Sequence, residues 1–156
     1  MEDYDRILEL YSRARRFMKE TGNPTQWSDN WPPVELIKED IEKGDNLVCE
    51  KDGIIHGVFA YFQGLDIDPT YLVIEDGAWL KEGEYGVVHR LAGSGEEKGV
   101  AEAALNWSFA QCHHLRVDTH ADNKVTQTIL EKLGFVRTGI IYVKKDNSPR
   151  IAYEKV

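Results

Sequence analysis

His89-Arg90-Leu91-Ala92-Gly93-Ser94-Gly95-Glu96-Glu97-Lys98-Gly99-Val100-Ala101, continued by Glu102-Ala103-Ala104-Leu105-Asn106-Trp107, is the stretch whose reading decides the fold. An apolar run, Tyr85 to Leu91, leads into it and predicts a strand. Gly93, Gly95 and Gly99 then punctuate a turn. Beyond the turn Val100, Ala103, Ala104, Trp107 and Gln111 recur at helical spacing, which predicts a helix with that stripe facing a core. Strand, glycine turn and helix together aim free backbone N–H groups at an anion. An ordinary strand-to-helix connection with nothing bound would look the same. Three nucleotide and nucleophile motifs are excluded. Lys98 precedes Gly99 rather than following it, so no P-loop is present. Gly99 falls one residue late for G-x-G-x-x-G, and the glycines beside Ser94 are too close for a G-x-S-x-G elbow.

A length of 156 residues predicts a single domain, residues 1–156. A hydrophobic fraction of 42% is that of a globular protein, and no apolar run approaches a membrane span. The N-terminus, MEDYDRILEL, is acidic rather than signal-like, so a cytoplasmic location is expected. The net charge of −8 argues against a nucleic-acid partner and suits a cationic or amine substrate. Cys49 and Cys112 sit in unrelated contexts and predict buried free thiols rather than a disulfide or a zinc cluster.

Outward from the central stretch, residues 2–20 predict a helix ended by Gly22, with Arg13, Arg15, Arg16 and Lys19 as a basic face, either solvated or a site for an acidic ligand. A loop at 22–31 carries Trp27 and Trp31, which either plug the core or line a pocket. A second helix starts at Pro32-Pro33 and stops at Gly44. A hairpin follows: Asn46 to Glu50, a turn at Asp52-Gly53, and Ile54 to Phe62. Tyr71 to Ile74 reads as a short strand. After the central helix, His114 to Thr119 is a strand that should run parallel to the first, because a helical crossover joins them. Asp122 or Asn123 caps a helix to Leu133, and Gly134 stops it. Phe135–Val143 and Arg150–Lys155 complete a mixed sheet with helices, in the α/β or α+β class.

The second half resembles a GNAT-type N-acetyltransferase. Two blocks carry the resemblance: the strand–glycine turn–helix at 85–111, and RVDTHADNKVTQTILEKLGFVRTG at 116–139, with Asn123 and Gly134-Phe135 in the family's register. The resemblance implies an acyl-CoA N-acyltransferase fold, a splayed central sheet flanked by helices. It implies that acetyl-CoA lies where strands 85–92 and 114–119 splay. The pyrophosphate would then meet Glu97, Lys98, Gly99, Val100 and Ala101, with free N–H groups from Glu96 through Val100. Backbone N–H groups of Leu91, Ala92 and Gly93 would hold the thioester carbonyl, and Asn123 would bond the pantetheine arm or order the strand end beside it. An amine would attack directly, with no acyl-enzyme and no metal, so catalysis is positioning and proton removal.

The chain departs from the family twice. The phosphate turn reads [Q/R]-x-x-G-x-[G/A] in the family; here it is Glu96-Glu97-Lys98-Gly99-Val100-Ala101, with an acid in the leading place. The position of the family's frequent tyrosine acid is Leu130, so another group or water must protonate the leaving thiolate, and Tyr142 is one candidate. His89 is the candidate base, since imidazole accepts a proton near neutrality; Glu84 and His120 are alternatives, and a hydrogen-bonded sheet histidine is the simpler role. The reading is an acetyl-CoA-dependent N-acetyltransferase acting on a primary amine of a small molecule or protein, with neither nucleic acid nor membrane as partner. Open sheet edges leave room for a homodimer. The alternative is an acyl-CoA-binding or interaction protein that has lost catalysis, which Glu96 and Leu130 keep open.

Overall fold

Ile7, Leu10, Tyr11 and Ala14 recur three and four residues apart, so one face of the first helix can be buried whole. That helix, α1, spans Tyr4–Glu20. The computed structural model describes residues 2–27, 30–144 and 146–156; Ser28 and Asp29 of the expected 22–31 loop lie outside the described residues. The remaining elements are α2 (Val34–Lys43), β1 (Asn46–Lys51), β2 (Ile54–Gly64), a single 3-10 turn (Pro69–Tyr71), β3 (Tyr85–Gly93), α3 (Val100–Cys112), β4 (Leu115–Thr119), α4 (Lys124–Lys132), β5 (Val136–Tyr142) and β6 (Pro149–Lys155). The strands form one mixed six-stranded sheet in the order β1-β2-β3-β4-β6-β5. β3 and β4 pair in parallel, Gly86 opposite Leu115 and Val87 opposite Arg116, as the helical crossover requires. β1–β2, β4–β6 and β5–β6 are antiparallel. Among the described residues no helix is long and apolar enough to cross a membrane.

Two compact units divide the chain. The first comprises the chain up to Tyr61 together with His89–Leu105. Its core is Ile7, Leu10, Tyr11 and Ala14 of α1 with Trp27, Ile37, Val58 and Ala92. Trp27 is therefore a core plug, with its ring centroid 5.8 Å from that of Tyr11. A buried ion pair crosses this unit: Arg90 Nη2 stands 2.8 Å from Asp40 Oδ2, and Arg90 Nε donates to the same oxygen at 2.9 Å. Burial pushes the Asp40 carboxyl up, and the Arg90 guanidinium opposes that push. Arg90 has φ +53°, a left-handed conformation that bulky residues adopt only under constraint. The Tyr11 hydroxyl donates to the Arg90 carbonyl at 2.9 Å, so α1 and α2 hold this one residue of β3 from backbone and side chain.

The second unit comprises Phe62–Val88 and Asn106–Val156. Tyr71, Tyr85, Val87, Ile141 and Ala152 form its core, packed by Ile67, Ile74, Trp79 and Val143. Beside it Glu154 is completely buried. It accepts from Arg116 Nε at 3.2 Å and from the Leu80 N–H, and it faces His114 Nε2 at 2.6 Å. Nδ1 of His114 faces the Glu84 carbonyl at 3.0 Å, which can only accept, so that nitrogen carries a proton. The Arg116 guanidinium lies between the rings of Trp79 and Tyr85, 4.4 and 4.3 Å from their centroids.

Two expectations about elements are corrected. Tyr71 to Ile74 is not a strand. Asp68 accepts the Thr70 N–H at 3.0 Å and Pro69 follows it, so the segment turns into the 3-10 helix, and only Glu75 bridges to Ile140. The β-forming run lost to a start signal just upstream. The face of α3 also differs. Ala104, Leu105 and Ser108 are buried, whereas Ala103, Trp107 and Gln111 are exposed, Trp107 at 45%. The helix is apolar nearly all round, so periodicity could not choose a face. The small pair Ala104 and Ser108, one turn apart, permits close packing.

Asn123 is the N-cap of α4; its Oδ1 accepts the Thr126 N–H at 3.1 Å. Asn123→Ala should lower stability by about 1 kcal/mol, while Asn123→Asp, which keeps the acceptor, should stay within a few tenths. Thermal melts of the two variants would show it, and equal destabilisation would deny the cap any weight. Asp40→Ala should reduce the unfolding free energy by about 3–5 kcal/mol, because it strands the Arg90 cation. Urea denaturation measures this; a loss below about 1 kcal/mol would mean the guanidinium reaches water.

Candidate functional site

β3 is buried from Tyr85 to Val88 and half-buried from His89 to Leu91. The left-handed turn of the backbone at Arg90 resets the strand, so Ala92 points into the first unit's core. Ser94 then latches the chain to β2: its N–H donates to the His56 carbonyl at 2.7 Å, and its hydroxyl lies 3.1 Å from His56 Nδ1. The same hydroxyl accepts the Glu96 N–H at 3.1 Å. The expected run of free donors from Glu96 is thereby corrected, because its first member is already bonded.

Gly95 and Gly99 both have φ +77°, the left-handed region, which lets the turn reverse twice in five residues. α3 starts with Ala103 N–H donating to the Gly99 carbonyl at 2.9 Å. The N–H groups of Val100, Ala101 and Glu102 precede the first helical bond and have no intrahelical acceptor. A Cβ at Gly99 would meet nothing nearer than Glu102 Oε2 at 3.6 Å, an ordinary contact, so the φ of +77° rather than crowding calls for glycine there.

The charges around the turn are mixed. Glu97 is paired with Lys51, Oε1 to Nζ 2.7 Å, and that hydrogen bond and charge hold its carboxyl below the usual range. Glu96 and Lys98 are exposed. Arg13 of α1 reaches the turn from the other side, with Nη1 donating to the Gly93 carbonyl at 3.0 Å. The expectation of a wholly solvated basic face on α1 is corrected for this residue. A cleft of about 540 Å³ is lined by Leu8, Ser12, Arg15, Asn30, Pro32, Pro33, Val34 and Ile37. It belongs to a different face of α1, since Arg15 and Arg13 are about 200° apart around a helix.

His89, Leu91, Ala92, Gly93, Glu97, Lys98, Gly99, Val100 and Ala101 thus fall together in the first unit, at the end of β3 and the start of α3. Asn123 and Tyr142 fall in the second. Tyr142 ends β5, an edge strand, with its hydroxyl bonded to Glu75; that bond and the carboxylate's charge push its pKa up. Leu130 is fully buried. Glu84 is exposed and accepts from Gln63 Nε2 at 3.1 Å. His120 accepts the Asp122 N–H on Nδ1 at 3.0 Å, and burial, helped by Arg150, pushes its pKa down. A neutral ring bonded in this way carries its proton on Nε2 and has no second lone pair to offer. Sequence reasoning missed Arg13, His56 and Ser94 as parts of the turn. The nearest signal for Arg13 was its place between Leu10 and Ala14, at the rim of the buried stripe.

No protein-family profile matches the chain, and no curated protein sequence matches it. Solved structures do. An acetyltransferase of the GNAT family from Listeria monocytogenes 4b F2365 superposes with a TM-score of 0.68 at 22% identity, over 99% of this chain and 89% of the other, which speaks to the fold alone. An acetyltransferase of the GNAT family from Streptococcus agalactiae 2603 superposes with a TM-score of 0.88 at 31% identity, over 99% of this chain and 90% of its own. With that identity spanning nearly every residue, and a glycine turn opening α3 as the family's pattern requires, the chain belongs to the GNAT family of acetyltransferases.

Proposed function

We propose that this protein is an acetyl-CoA-dependent N-acetyltransferase whose acceptor is a primary amine. The observation that carries the reading is the glycine turn before α3: Gly95 and Gly99 are left-handed, the N–H groups of Val100, Ala101 and Glu102 have no acceptor within the helix, and Gly99 and Ala101 match the family's phosphate pattern over 96–101. The donor set suits the cofactor. Backbone N–H groups, Lys98 and Arg13 all donate, and a helix start favours phosphate. Glu96 and Glu102, the acid in the first turn of α3, oppose it.

Bound there, acetyl-CoA supplies an acetyl group activated as a thioester. The chain's own share is to position and to move a proton. Backbone N–H groups of Leu91 to Gly93 would offer fixed dipoles where negative charge develops. His89 is proposed as the base that takes the acceptor's proton, since it lies half-buried on β3 just ahead of Leu91 to Gly93, where the thioester would sit, and a neutral imidazole has a lone pair to accept with. Ser94 is a poor nucleophile: its oxygen is buried and already accepts from Glu96. That favours direct transfer over an acyl-enzyme. Tyr142 is a weak choice of acid, with its hydroxyl held by Glu75 and its pKa raised. The acidic composition suits a cationic acceptor.

Release of CoA from acetyl-CoA across a panel of amines tests the activity. Tight CoA binding with no turnover on any amine would favour a binding protein that has lost catalysis. His89→Gln should lower kcat about a hundredfold with little change in KM, and the deficit should shrink at high pH. A rate within about twofold of wild type would remove His89 and leave Glu84 as the next choice, because His120 has its Nδ1 engaged. Glu96→Gln should tighten CoA binding severalfold, with the gain fading as salt shortens the Debye length from about 10 Å at 0.1 M. Calorimetric titration at two salt concentrations reads this, and weaker binding in the variant would mean that Glu96 supports the turn.

A further inference from the structure

The turn carries an acid at position 96, yet a cation lies against it from another element. Arg13 Nη1 donates to the Gly93 carbonyl at 3.0 Å. The rest of its guanidinium occupies the space that a side chain at residue 95 would need. A Cβ built on Gly95 would come within 2.0 Å of Nη2 and 2.4 Å of Cζ. Gly95 is therefore glycine for two reasons, its φ of +77° and the group packed on it. The ring of Phe17, one helical turn on, has its centroid 5.3 Å from Cζ and packs on the same guanidinium.

A guanidinium has five N–H donors, and the Gly93 carbonyl uses one of them. Lys51 already neutralises Glu97. Among the described residues at the turn, Arg13 and Lys98 are two positive charges that can offset Glu96, Glu102 and any bound anion. Of the two, Arg13 has its position fixed by a backbone bond, a glycine and a ring, so little side-chain freedom remains to be lost on binding.

We propose that Arg13 is a cofactor-binding residue: it supplies from α1 the fixed cation for the phosphate group held at the 94–99 turn. This rests on the CoA reading above and names a residue outside the β3–α3 segment on which that reading was built. The phosphate is the pyrophosphate rather than the 3′-phosphate of CoA, because Arg13 is anchored at the turn itself.

Calorimetry with CoA, dephospho-CoA and pantetheine tests it on the wild type, Arg13→Gln and Arg13→Lys. Arg13→Gln should weaken CoA and dephospho-CoA alike by about tenfold, the scale of one charge-assisted hydrogen bond, and flatten the salt dependence. Pantetheine, which has no phosphate, should bind as before. Arg13→Lys should recover part of the loss. An unchanged CoA affinity, or a loss shared equally by pantetheine, would overturn the proposal and make Arg13 a tie between α1 and β3. A loss seen with CoA but not with dephospho-CoA would also overturn it, by assigning Arg13 to the 3′-phosphate. If Arg13→Gln does not fold, Arg13→Lys carries the test, because it keeps the charge but gives up the fixed fork anchored at the Gly93 carbonyl. A selective loss for phosphate-bearing ligands supports the proposal, and no selectivity sinks it. Wild type that binds no CoA would bring down the acetyltransferase reading as well, whereas failure of the variants alone removes only Arg13.

Discussion

Arg90 is held where its backbone would not go unaided. A left-handed conformation at a bulky residue is disfavoured, and it persists only where the surroundings over-determine it. Here Asp40 takes the guanidinium and Tyr11 takes the carbonyl. Both partners sit on helices whose apolar faces are buried in the same core. The consequence runs forward along the chain. With the strand reset at Arg90, Ala92 points inward, Ser94 meets His56, and the turn opens onto α3. The helices α1 and α2 thus shape the site without lying on it in sequence.

The second unit uses buried charge differently. Glu154 has no exposed surface, and the start of β4 and the 72–84 segment contribute the groups around it. Removing a carboxylate from water is expensive unless its oxygens are bonded, and these are bonded to Arg116, His114 and the Leu80 N–H. The aromatic faces of Trp79 and Tyr85 finish the job for Arg116. This cluster fixes the irregular 72–84 segment, which otherwise has one bridge to the sheet at Glu75. Segments with so little ladder need a polar anchor to be ordered.

What could be read from the sequence was local. Glycine turns, caps and apolar periodicity act over a few residues, so both units' elements were legible with small shifts of boundary. Gly99 at the head of α3 and Asn123 as a cap are read from their neighbours alone. The pairs that shape the site are not local. Arg90 and Asp40 are 50 residues apart, Arg13 and Gly93 are 80, and His56 and Ser94 are 38. Nothing in a basic face on a helix says which of its arginines bends inward. Nor could α3 be oriented, because alanines and a tryptophan surround its axis. The run Tyr71 to Ile74 was misread for a different reason: propensity favoured a strand, but Asp68-Pro69 had already committed the chain to a turn.

The four tryptophans have a spectroscopic consequence. Trp27 is sealed in the first core, and Trp31 packs partly against it. Trp79 packs against the second core, its indole N–H bonded to the Tyr71 carbonyl at 2.9 Å, with a cation over its face. Trp107 stands in solvent on α3. Each unit therefore carries its own emission reporter in a distinct polarity, and the exposed indole supplies a constant red-shifted background. Single replacements of Trp27 and Trp79 by phenylalanine would assign each part of an emission change to one of these environments, with no label added to the chain.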